Sequence, residues 1–138
     1  MRLLIRGKVW ALDQSADLPK DVDGECDAPS SKNKGIRIRT ELKDQPRLDA
    51  LIHEMLHAAF WDLGEGPVAS LANVVALDLW ENKLRPERKT TRVTRDRLEH
   101  HIIGVIWTRS EIAVLDEDVR REVAHSLAHN LNRLGWAF

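Results

Sequence analysis

The sequence predicts an α+β domain, a small N-terminal β-sheet packed on a helical core. Three observations lead there. The first 42 residues carry two β-patterned stretches, "RLLIRGKVWAL" and "GIRIRTEL". After Gln45, the stretches 45–63, 66–84 and 116–136 have the longer apolar periodicity of amphipathic helices. At 138 residues, with 43% hydrophobic and 31% charged side chains, the chain can bury one core, so a single domain spanning 1–138 is expected.

The elements follow in order. "RLLIRGKVWAL" mixes apolar pairs with β-favouring residues and reads as a strand bent at Gly7. From Asp13 to Lys34 the composition turns to Asp, Ser, Pro, Gly and Lys, which predicts a loop. "GIRIRTEL" alternates cleanly: Ile36, Ile38, Thr40 and Leu42 point one way, Arg37, Arg39 and Glu41 the other. That pattern suits a sheet with one wet face. "QPRLDALIHEMLHAAFWDL" is a helix with Pro46 near its start and Gly64 as its stop. A second helix, "GPVASLANVVALDLWENKL", has Pro67 in its first turn and Pro86 beyond its end. "RPERKTTRVTRDR" reads as a polar connector, and "LEHHIIGVIW" as a buried helix or strand. "DEDVRREVAHSLAHNLNRLGW" closes as an amphipathic helix, acidic in its first turn as the macrodipole prefers.

Composition removes several function classes. Cys26 is the only cysteine, which excludes an internal disulfide and a Cys-rich zinc knuckle. A net charge of −1 gives no reason to expect nucleic acid or an anionic membrane as the main partner. The N-terminal apolar run is too short for a signal peptide, and no stretch approaches membrane-spanning length, so a cytoplasmic location is expected. The five tryptophans are scattered and read as core anchors, and tyrosine is absent.

The chemistry concentrates in "LIHEMLH", Leu51 to His57. On a helix, residues four apart share a face, so His53 and His57 can reach one ion. Zinc takes imidazole nitrogen, and a catalytic site keeps one position open. Glu54, beside His53, can reach that position without binding the metal. The two histidines and Glu54 are the only polar side chains between Ala50 and Phe60. Burying them is costly unless they have partners, and a metal supplies partners.

"ALIHEMLHAA" resembles the active-site helix of the zincin metallopeptidases, whose HExxH motif is flanked by uncharged residues. A basic strand followed directly by that helix is similar to small zincin-like proteins of phages and bacteria. The specific likeness covers about residues 36–62, with "GECDAP" and "LNRLGW" as minor cues. The resemblance implies a zincin-like fold, zinc as cofactor, His53 and His57 as ligands, and Glu54 as general base. It also implies that "GIRIRTEL" is the sheet edge along which an extended peptide substrate pairs.

The third ligand departs from the better-known members, because "AAFWDL" follows His57 with no further histidine. If the first helix runs about six residues past His57, the returning helix comes level with the histidines in the seventies. That favours Asp78, a carboxylate within an apolar stripe, whose separation from His57 is also similar to the thermolysin-like spacing. Asp78 could equally pair with an arginine or cap a turn. Glu65, Glu117, Glu122 and His125 are the alternatives, Glu117 also being explained by the helix dipole. His125 and His129 are spaced like ligands but lie off the Val119–Val123–Leu127–Leu131 stripe. With no tyrosine, an oxyanion would be stabilised by His100, His101 or His125, by an arginine, or by zinc alone.

The expected function is therefore a zinc-dependent hydrolase, a peptidase. The rival is a non-catalytic module, stabilised by zinc or binding nucleic acid through residues 85–97, which hold six basic and two acidic side chains.

Overall fold

The computed structural model describes residues 1–108 and 116–138. The chain is α+β. Among the described residues four strands, β1 (Arg2–Ile5), β2 (Lys8–Ala16), β3 (Gly24–Cys26) and β4 (Gly35–Arg39), precede four helices. These are α1 (Asp44–Ala59), α2 (Glu65–Glu81), α3 (Arg92–Trp107) and α4 (Glu117–Arg133).

The strands form one mixed sheet in the order β1-β2-β4-β3, with β2 and β4 parallel and both outer pairs antiparallel. The expected bent strand is a hairpin. Arg6 and Gly7, both at positive φ (48° and 75°), form a two-residue turn of the kind that right-twisted strands favour. Strand alternation decides the packing: Leu3, Ile5, Trp10, Leu12, Ile36 and Ile38 face the core, while Leu4 and Val9 meet on the outer face. α1 runs beneath this face and buries Leu48, Leu51, Ile52, Met55 and Leu56.

The two sheet edges differ. Along β1, the outward main-chain groups are taken by side chains of α4. Asn130 accepts from the Leu4 amide at 3.3 Å and donates to its carbonyl at 2.9 Å. The Ser126 hydroxyl accepts from the Arg6 amide, and Arg133 donates to the Arg2 carbonyl. Asn130 is fully buried and also donates to the Ser126 carbonyl, so its burial is compensated.

At the other edge lies β3, within the stretch expected to be loop. β4, expected as the edge, is an inner strand between β2 and β3. Asp27 and Asp23 bond main-chain groups of β4. Because main-chain groups alternate sides along a strand, those of Gly24 and Cys26 point outward. This outer edge runs beside α1.

Two further differences concern the second half. The expected connector 85–97 is helical from Arg92 onward. Arg85 bridges to Ala137, and Thr91 caps α3 in a reciprocal capping box with Thr94. Of the tryptophans, only Trp10 and Trp136 are fully buried. Trp61 is 46% exposed, and Trp107 lies under Arg120 and Arg121. No described helix is long and apolar enough to cross a membrane.

Candidate metal centre

α1 ends at Ala59, two residues after His57, and Phe60 leaves helical geometry. The histidines therefore occupy the last turns of α1. After a short link, Gly64 precedes Glu65, the first residue of α2, which starts beside them. Glu65 also suits the positive end of the α2 dipole.

The three side chains converge. The Nε2 atoms of His53 and His57 are 3.0 Å apart. One Glu65 oxygen lies 2.8 Å from His53 Nε2 and the other 2.7 Å from His57 Nε2. One donor atom from each of the three lies within 4.8 Å of the others, and they are the only such group of His, Cys, Asp or Glu among the described residues. If both imidazoles donate to Glu65, two N–H groups confront each other across 3.0 Å; a shared cation removes that conflict. Ligands at zinc distances around a tetrahedral centre lie about 3.3 Å apart. The cluster is a few tenths of an ångström tighter, so a small opening admits an ion. Two imidazoles and a carboxylate are a donor set that suits zinc.

Glu54 projects from the same helix into the space under β3. The residue is 6% exposed, and its side chain has no hydrogen bond or ion pair among the described residues. Burial pushes its carboxyl up to about 7, and the charges of Glu65 and Glu25 add to this against the opposing Arg37. Gly24 lies directly over it. A Cβ there would come 2.8 Å from Glu54 Cγ and 3.0 Å from its Oε1.

Glu54 opens into cavities on both sides. One, of about 540 Å³, is bounded by Gly24, α1 and α2. The other, of about 450 Å³, is walled by Cys26, Arg37, His57, Trp61 and Glu65. Arg37 is held there by a bidentate contact to Asp27 and a bond to Glu25. The Asp27 carboxyl is lowered, chiefly by the hydrogen bond from Arg37 and then by the amide of Gly35. The Cys26 thiol is pushed up to about 12 by burial and the charges of Glu54 and Asp27, which leaves it protonated and non-nucleophilic at neutral pH.

The remaining candidates lie elsewhere. Asp78 is 13 residues beyond Glu65 on α2, about 20 Å along the axis. Its carboxylate is 3.6 Å from His101 Nδ1, so it pairs with a histidine outside the cluster. The difference lies in the helix length: α1 stops at Ala59, short of Gly64, so the returning helix is level with the histidines at its first turn. Glu117 pairs with Arg121, Glu122 with Arg6, and His125 with Glu99. His129 stacks on His125, and burial lowers its basicity. None of His100, His101 and His125 lines either cavity beside Glu54.

In the basic segment 85–97, Arg85 stacks on Trp80 at 3.6 Å and donates to the carbonyls of Trp80 and Leu84. Arg97 lies over Phe138, and Arg92 and Arg95 contact Asp96. Arg88, Lys89, Arg92 and Arg97 are the exposed cations of the segment.

The sequence does not distinguish Gly24, Asn130 and Ser126 as site or edge residues. The glycine in "GEC" was the one available signal. Neither family models, curated proteins nor solved structures gave a match to this chain, so the site is read from its own residues.

Proposed function

We propose that the protein is a zinc-dependent hydrolase acting on peptides, in the manner of the zincins. His53, His57 and Glu65 hold the ion, and Glu54 manages the proton. The observation that carries this reading is the convergence of three donor atoms beside a buried carboxylate that has no partner among the described residues.

When bound, zinc supplies Lewis acidity toward water and toward a substrate carbonyl. Glu54 stands next to the donor set, where it can take a proton from water and deliver it to the departing amine. Gly24 leaves Glu54 room for that position. The outward main-chain groups of Gly24 and Cys26 offer an extended peptide a strand to pair with, and α4 blocks the opposite edge. Arg37 is the cation in the wall of the cleft, held by Asp27 and Glu25.

Elemental analysis of purified protein tests the reading, with about one zinc per chain expected. Glu54→Gln should retain the metal and lose cleavage of a peptide library, because an amide cannot accept the proton. A protein that takes up no zinc overturns the reading. Undiminished turnover in Glu54→Gln removes that residue from the mechanism.

A further inference from the structure

The cavity of about 540 Å³ on the β3–α1–α2 side has a composition that selects among peptide side chains. Its walls near the centre are small: Gly24 from the sheet edge, Ala50 from α1 and Ala69 from α2. Its outer wall is polar, with Asp23, Gln45, Asp49 and Asn73, and no lysine or arginine lines it.

Two of these carboxylates differ in their charge balance. Asp23 is neutralised by Arg39, whose Nη2 lies 2.9 Å from its Oδ1. Asp49 has no ion pair among the described residues. Its Oδ2 accepts from Asn73 Nδ2 at 3.2 Å, a bond that ties α1 to α2 and leaves the carboxylate charge uncompensated. A second observation points to an occupant: Glu54, buried and without a partner among the described residues, opens into the same space.

The helix sets the length scale. Asp49 precedes His53 by four residues on one face of α1, about 6 Å along the axis. A side chain entering beside the His53–His57–Glu65 cluster must be long to reach Asp49. It must also be apolar along its stem, to lie over Ala50 and Ala69. Lysine and arginine combine such a stem with a cationic end. The cavity on the other side of Glu54 already holds a cation of its own, Arg37, set among Glu25, Glu54 and Glu65.

We propose that this cavity is a binding pocket for a lysine or arginine side chain of the peptide, with Asp49 as its charge partner. The proposal rests on the reading of the site as a peptide cleft.

The test separates binding from turnover. Fluorescein-labelled alanine heptapeptides carrying one Lys, Arg, Gln or Glu at successive positions are titrated into metal-free wild-type protein and read by anisotropy. The same peptides are offered to zinc-loaded protein and read by mass spectrometry for cleavage. At one scan position, the Lys and Arg peptides should bind about 10- to 100-fold more tightly than the Gln peptide, the range of a charge-assisted contact. In Asp49→Asn, which preserves the bond to Asn73, that ratio should collapse toward one. In Asp49→Lys the Glu peptide should become the preferred ligand. Thermal unfolding shows whether each variant is folded. A missing preference, or one that survives in folded Asp49→Asn, overturns the pocket. Cleavage without basic selectivity overturns the pocket alone. Selective binding without cleavage overturns the hydrolase and leaves the pocket standing. Neither binding selectivity nor cleavage overturns both.

Discussion

Gly24 and Glu54 are in such close contact that a methyl group on the glycine would lie 2.8 Å from the glutamate Cγ. The glycine carbonyl edge and the carboxylate therefore share one wall of the cleft, and only a residue without a side chain allows both. Gly24→Ala should push Glu54 aside while leaving His53, His57 and Glu65 in place. Zinc content should be unchanged and peptide hydrolysis should fall about 100-fold, the scale of an ångström-sized misplacement. A wild-type rate in Gly24→Ala would show that this contact does not position Glu54.

The third ligand can be tested by substitution. Glu65→Ala should weaken zinc binding about as much as His53→Ala or His57→Ala, since each removes one of three donors. Asp78→Ala should bind zinc like the wild type, because its carboxylate faces His101. Competition with a chromogenic chelator ranks the four variants. Loss of affinity in Asp78→Ala with retention in Glu65→Ala would reverse the assignment.

How far the sequence could be read follows from which interactions are local. His53, Glu54 and His57 share one helix, so their relationship is contained in seven residues and was legible. β4 was legible as a strand through the alternation of Ile36 and Ile38 with arginines, but its place in the sheet was not. That place depends on β3, three residues with no alternation to read, buried in a stretch rich in Asp, Ser and Pro. Which carboxylate lies beside His53 and His57 depends on where α1 stops. Sequence punctuation pointed to Gly64, whereas the helix ends at Ala59, and this difference exchanges Asp78 for Glu65. Sealing of the β1 edge by Asn130 spans 126 residues of sequence and leaves no local trace.

That seal has a measurable consequence. Asn130→Ala removes the partners of the Leu4 amide and carbonyl in a part-buried setting, where their loss costs on the order of 1 kcal/mol. The urea midpoint should fall accordingly. The uncovered β1 edge, with Leu4 and Val9 exposed beside it, should also promote self-association. Sedimentation velocity checks the second effect. A variant with wild-type midpoint and no association would show that Asn130 does not protect this edge.

The Asp27–Arg37 pair predicts a direction of pH dependence. Arg37 and the Gly35 amide hold the Asp27 carboxyl below its usual 3.8 in the folded chain. A depressed folded value means that the unfolded chain protonates first as pH falls. The contribution of Asp27 is therefore fully present above 3.8 and is lost as pH drops through the folded value. Asp27→Asn should cost on the order of 1 kcal/mol near neutrality, a modest figure because the pair is about one-third exposed to solvent. The stability gap between variant and wild type should then narrow steadily below about pH 4. Urea unfolding at a series of pH values provides the comparison. A gap that is constant with pH would mean that Asp27 contributes through shape and neutral hydrogen bonds, and that its charge adds nothing to the fold.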